Sequence, residues 1–144
     1  MLITRDDIAT LIPHSGSMCL LDGVLSWDES AIRCTAASHR YPDNPLRSSG
    51  CLAAVCGVEY AAQAMALHSS LTGGGTRPSV GYLASLRNLV CLVGRLDDIA
   101  DDLTIEAEKL MGEGNRMIYA FTIRAGNTDL LTGRAAVVID AGQP

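Results

Sequence analysis

Residues 51–71 read CLAAVCGVEYAAQAMALHSSL, with no proline and with Thr72-Gly73-Gly74-Gly75 directly behind them. That stretch constrains the fold more than any other. Alanine favours helix, and a glycine run stops one. The spacing therefore predicts one long helix over residues 51–71, a rod of about 30 Å. It is apolar nearly all round, the mark of a helix enclosed by other structure and not lying on a surface. The small side chains of Ala53, Ala54, Gly57, Ala61, Ala62, Ala64 and Ala66 would let a sheet approach it closely.

The flanking sequence predicts strands. Thr4-Arg5-Asp6-Asp7-Ile8 opens a short helix, with Thr4 as cap, acidic residues at its positive end and Pro13 as its stop. Residues 18–27 and 30–38 read as two strands. Residues 39–50, HRYPDNPLRSSG, form a loop of a length that usually carries function. After Pro78 everything reads as strand: residues 80–92, an alternating Leu103-Thr104-Ile105-Glu106-Ala107-Glu108 segment, residues 116–124, and residues 130–140 behind a Gly126-Asn127-Thr128-Asp129 turn. Glu113-Gly114-Asn115 is a tight hairpin. The order implies an α+β class, with a curved antiparallel sheet wrapped around one helix in a single domain spanning residues 1–144.

With 144 residues, 48% hydrophobic and 19% charged, the chain can bury a core without a disulfide or metal staple. A net charge of -5 and one Trp, one Phe and four Tyr argue against a nucleic-acid partner. No apolar run reaches a membrane span, and the first residues lack a basic segment followed by an apolar one, so a cytoplasmic location is expected. Cys19, Cys34, Cys51, Cys56 and Cys91 include no CxxC pair, which fits buried, reduced thiols and no metal.

Glu59 stands out as an acid in the middle of the apolar helix. If it is buried, its pKa should rise, as a general acid near neutral pH requires. Gln63 lies one turn on and could orient it. The alternative is a glutamate satisfied by backbone groups at a subunit interface. His14 and His39 sit in loops that could reach this helix; each is a candidate base, against the commoner solvent-exposed or structural role. His68, near the helix end, reads as structural, its imidazolium complementing the dipole. Arg40, Arg47, Arg77, Arg87 and Arg95 could form a basic patch for a phosphate or an acidic carrier protein, although scattered solvated arginines are the simpler reading.

Two stretches carry a family resemblance. Ile12-Pro13-His14-Ser15-Gly16-Ser17-Met18-Cys19-Leu20-Leu21-Asp22-Gly23-Val24 resembles the N-terminal Leu-Pro-His…Asp-x-Val pattern of the β-hydroxyacyl-(acyl carrier protein) dehydratases. Gly57-Val58-Glu59-Tyr60-Ala61-Ala62-Gln63-Ala64 is similar to the Glu-Ala-Met-Ala-Gln segment of that family's central helix. The resemblance implies the hot-dog fold. It implies a catalytic role for Glu59, leaves His39 and His14 to compete for the base, His14 matching a family position that is not the usual base, and we expect substrate-binding positions at Gln63, Gly57 and Gly50. One departure is evident. The family's histidine precedes the helix glutamate by about fourteen residues, where this chain has Asn44-Pro45, and His39-Arg40-Tyr41-Pro42 comes too early. The chain thus looks closer to a divergent branch found with aryl polyene and related pathways, whose members can form one half of a heterodimer.

The resemblance implies loss of water from a 3-hydroxyacyl thioester carried on an acyl carrier protein. A histidine would remove the proton beside the thioester carbonyl and Glu59 would protonate the departing hydroxyl, with backbone N–H groups at the helix start polarising the carbonyl. This chemistry calls for no metal or organic cofactor. Three alternatives stand beside it: a hot-dog thioesterase, a non-catalytic partner in a heterodimer, and an acyl-carrier binding module. The partners implied are the acyl thioester and a second hot-dog subunit, identical or not, with no nucleic acid and no membrane.

Overall fold

A computed structural model describes residues 3–12, 18–73 and 80–140. Its elements run β1 (Ile3–Thr4), α1 (Arg5–Leu11), β2 (Gly23–Trp27), β3 (Ala31–Ala36), α2 (Gly57–Thr72), β4 (Val80–Cys91), β5 (Leu103–Glu113), β6 (Arg116–Ala125) and β7 (Thr128–Asp140). The strands form one antiparallel sheet in the order β1-β2-β3-β5-β6-β7-β4. Among the described residues β4 is therefore an edge strand, twelve residues long and hydrogen-bonded to β7 on one side only.

The alternation read from the sequence sets the faces. Leu103, Ile105 and Ala107 of β5, Tyr119, Phe121 and Ile123 of β6, and Leu131, Ala135 and Val137 of β7 are buried toward α2. From α2, Val58, Tyr60, Ala61, Ala64, Met65 and Leu67 meet them. The helix starts close to the sheet because Gly57 lacks a side chain: a Cβ there would stand 2.8 Å from Leu131 Cδ2 and 3.2 Å from Ile123 Cδ1. Two tight hairpins join β5 to β6 and β6 to β7. Each has glycine first, Gly114 at φ 60° and Gly126 at φ 58°, then Asn115 or Asn127, the φ pattern of a type II′ turn.

Several boundaries differ from expectation. α2 begins at Gly57, after a 3-10 turn at Ala54–Cys56, and not at residue 51. The preceding residues are held elsewhere by hydrogen bonds. Ser48 and Cys51 close a two-residue hairpin over Ser49 and Gly50, both at positive φ, and Ala53 pairs with Arg95. The Asp97 carboxylate accepts the Leu52 N–H at 2.8 Å while gripping Arg95. At sixteen residues the rod is about 24 Å long. Residues 18–22 are not strand, and β3 is shorter than residues 30–38. Thr4 does meet Asp7 at the start of α1, its N–H and hydroxyl both donating to Asp7 Oδ2. Pro13, His14 and Arg77 fall outside the described residues.

The cysteines also divide. Cys19 and Cys34 are buried as expected, but Cys51 and Cys56 are half-buried and Cys91 is exposed. Burial pushes the Cys34 thiol up to about 12.

Candidate functional site

The two segments expected to carry chemistry lie side by side. Tyr60, next to Glu59 on the first turn of α2, is fully buried, and its hydroxyl lies 2.7 Å from Ser38 Oγ, next to His39. Ser38 O–H donates to the Leu20 carbonyl at 2.8 Å, so Tyr60 must donate to Ser38. Asn44 Nδ2 donates to both Tyr60 and the Ser38 carbonyl, while Asn44 Oδ1 accepts the Leu46 N–H. Every proton in this buried chain is assigned. Asn44, which stands near the related dehydratases' histidine position, is thus a structural hub.

The side chains of the two candidates point differently. Glu59 is exposed and makes no hydrogen bond or ion pair among the described residues. The expectation of an enclosed carboxyl fails within this single chain, because α2 leaves one stripe uncovered. Val55, Glu59, Ala62, Ala66 and Ser69, spaced three and four apart, form an exposed or half-exposed stripe. Burial pushes the half-buried Cys56 thiol up, and the Glu59 charge one turn away adds to that.

Gln63 does not orient Glu59. It is buried, its Oε1 accepting the Leu20 N–H at 2.9 Å and its Nε2 donating to the Met18 carbonyl at 2.6 Å. It ties the segment before β2 to the central helix. Gly57 is a close-packing position and Gly50 a turn position at φ 74°.

His39 lies in a 3-10 turn, Ser38–Arg40, and is 0% exposed. Its Nε2 meets the Ile99 carbonyl at 3.0 Å, and because a carbonyl only accepts, Nε2 carries the proton. In the neutral ring Nδ1 is then a lone pair, buried with no hydrogen-bond partner of good geometry among the described residues, while the ring also lies against the Asp101 backbone. Burial, the largest influence, pushes the imidazole below its usual range against the pull of the Ile99 carbonyl. The electronic arrangement is that of a base; access is what this chain alone does not supply.

His68 is structural, as expected, but not as an imidazolium. Its Nε2 donates to the Asp28 carbonyl at 2.8 Å and its Nδ1 accepts from the Tyr119 hydroxyl at 2.8 Å, so both nitrogens of a neutral ring are satisfied. Burial lowers its pKa accordingly.

Among the described residues the arginines around the helix stay separate, the simpler of the two readings of the sequence. Arg40 pairs with Asp102 at 2.7 Å, Arg95 with Asp97, and Arg47 donates to the Gly50 and His39 carbonyls. No group of three His, Cys, Asp or Glu among the described residues could hold a metal ion. A cavity of about 430 Å³ lies on the sheet face away from α2, lined by Trp27, Arg33, Glu106, Thr122 and Arg124 among others. Neither Glu59 nor His39 lines it. Among the described residues no helix is long and apolar enough to cross a membrane.

A sheet of seven antiparallel strands around one long helix, with a carboxylate on that helix's first turn, is the hot-dog fold of the acyl-thioester dehydratases and thioesterases. The sequence model of the ApeP-like family, described as ApeP dehydratase, matches residues 6–142. The chain belongs to that family and is a dehydratase, a lyase. Among solved structures, the dehydratase heterocomplex ApeI:P from Xenorhabdus doucetiae superposes with a TM-score of 0.81 at 22% identity, covering 97% of this chain and 93% of that one. A thioesterase from Haemophilus influenzae shares the fold at TM-score 0.60 and 18% identity, over 83% of this chain and 78% of its own. A mutant thioesterase from Pseudomonas aeruginosa does so at TM-score 0.60 and 12% identity, over 81% and 79%. No curated protein sequence matches the chain.

Proposed function

We propose that the protein removes water from a 3-hydroxyacyl thioester carried on an acyl carrier protein, in a site that a second hot-dog subunit completes. The observation that carries this reading is the exposed Glu59, on an otherwise small and apolar stripe of α2, in a chain of a dehydratase family. A general acid working near neutral pH must be taken out of water, since desolvation favours its protonated form. A partner covering Val55, Glu59 and Ala62 would do that.

Strand β4 supports a place for the partner. Its free edge presents unpaired backbone groups, an arrangement that invites a further strand. Leu83 and Val90 on β4 are 42% and 48% exposed, and Val55 at the start of the helical segment is 53% exposed. The structural similarity to a dehydratase heterocomplex favours a non-identical second subunit.

In the elimination, a base takes the proton from the carbon beside the thioester carbonyl. The electron pair forms the new double bond, and Glu59 gives its proton to the departing hydroxyl, which leaves as water. With His68 fully bonded and His39 enclosed, the first reading has the partner supply the base across the seam. A second reading has a specific support of its own: the Nδ1 lone pair of His39 makes it the in-chain base once the site is assembled. His39→Asn separates the two, since it abolishes turnover only under the second reading. His14→Asn tests the remaining histidine in the same way. Gln63, Gly57 and Gly50 then serve the substrate by placing the helix start and the loops beside it. A cytoplasmic location fits the carrier-bound substrate.

The test is incubation of a 3-hydroxyacyl carrier thioester with the chain alone and with a co-purified hot-dog partner. An enoyl thioester formed with the partner present supports the reading. Release of free thiol would make the protein a thioesterase, and no turnover in either arm would reject catalysis.

A further inference from the structure

On the sheet face away from α2, charge is balanced on one half and unbalanced on the other. Across β3, β5, β6 and β7 runs an alternating ladder: Arg33 to Glu106 at 3.5 Å, Glu106 to Arg124 at 2.5 Å, Arg124 to Asp129 at 3.2 Å. Toward the β4 edge the same face carries Arg87, Arg116 and Arg134, all exposed, none in an ion pair among the described residues. Arg87 and Arg134 are direct cross-strand partners. Like charges placed so repel each other.

The register explains how the three converge. Ser85 on β4, Ala136 on β7 and Ile118 on β6 lie in one row. The row of Arg87 and Arg134 flanks it on one side and Arg116 flanks it on the other. The two flanking rows sit four residues apart along the strands, about 13 Å, with the uncharged row of Ser85, Ala136 and Ile118 between. The result is a cavity of about 300 Å³ with a low floor and guanidinium groups on both sides. Ala136 is only 4% exposed although it faces away from the helix.

We propose that this groove binds a small phosphate-bearing anion, a phosphate monoester or diphosphate. Guanidinium forks match phosphate oxygens in pairs, and several from different strands favour a multiply charged group over a single carboxylate. The net charge of -5 would keep such an anion off the rest of the surface, so an uncompensated cluster here marks a specific place. The concave, small volume suits a soluble ligand better than the flat face of a macromolecule. The inference does not rest on the dehydratase reading.

Calorimetric titration of the full chain with inorganic pyrophosphate tests it, alongside sedimentation with phosphatidylcholine vesicles carrying phosphatidic acid. Saturable pyrophosphate binding is expected, weakened at least about tenfold in R87Q/R134Q and unchanged within about twofold in R33Q, which removes the same kind of charge from the balanced ladder. Because R87Q removes a repulsion, that variant should melt no lower than wild type, and pyrophosphate should raise the melting temperature of wild type but not of R87Q/R134Q. No pyrophosphate binding, binding to vesicles alone, or equal binding by R87Q/R134Q would overturn the proposal.

Discussion

Tyr60 and Ser38, hydrogen-bonded at 2.7 Å, clamp the first turn of α2 to the end of β3. The clamp brings Glu59 and His39, the sequence neighbours of these two residues, into adjoining segments while Tyr60 itself turns inward. Tyr60→Phe would leave the Ser38 hydroxyl without its donor and one Asn44 N–H without an acceptor in a buried setting. A loss of about 1–3 kcal/mol in unfolding free energy is expected, read from urea denaturation. Glu59 itself should tolerate substitution, being outside this network.

The buried histidines set a pH dependence. His68 and His39 have folded pKa values lowered by burial, while the unfolded chain takes up protons near 6.5. Below that pH the unfolded state binds more protons than the folded one, so stability is full above it and declines as pH falls toward the folded pKa. The slope is at most about 1.4 kcal/mol per pH unit for each histidine. Denaturation midpoints compared at about pH 7 and about pH 5 check this. Tyr119→Phe should lower the midpoint at both, since His68 Nδ1 then loses its donor.

Thiol labelling should follow exposure. Cys91 is expected to react first with a thiol-directed reagent, Cys51 and Cys56 more slowly, and Cys19 and Cys34 only on unfolding. Mass spectrometry of timed samples reads the order. Labelling of Cys91, at the end of the free edge, should slow when the partner subunit is present.

Gly57→Ala puts a methyl group 2.8 Å from Leu131 Cδ2, where Leu131 is itself 0% exposed. Overpacking of this kind costs about 1–3 kcal/mol, while alanine's helix preference returns at most about 1. A lower melting temperature is expected, measured by circular dichroism.

What the sequence revealed depends on how local the determining forces are. The alternation in 103–108 and 116–124, the glycine-led hairpins and the stop at Gly73 are short-range, and the structure follows them. The start of α2 is not local. Residues 51–53 have helical composition, yet Arg95, Asp97 and the Ser49-Gly50 turn hold them in another path. The facing of Glu59 was equally hidden, because an apolar sequence on all sides does not say which side the chain itself covers. The arginine groove needed the β4/β7 register, which joins residues 47 apart in sequence, as for Arg87 and Arg134.

The central claim, that Glu59 is the proton donor of a dehydratase site completed by a second hot-dog subunit, is tested most directly by Glu59→Gln. The variant is assayed on a 3-hydroxyacyl carrier thioester in the presence of that subunit. Loss of about 10²-fold or more in kcat, with the melting temperature of the chain unchanged, is expected of an exposed general acid. Turnover equal to wild type would contradict the account.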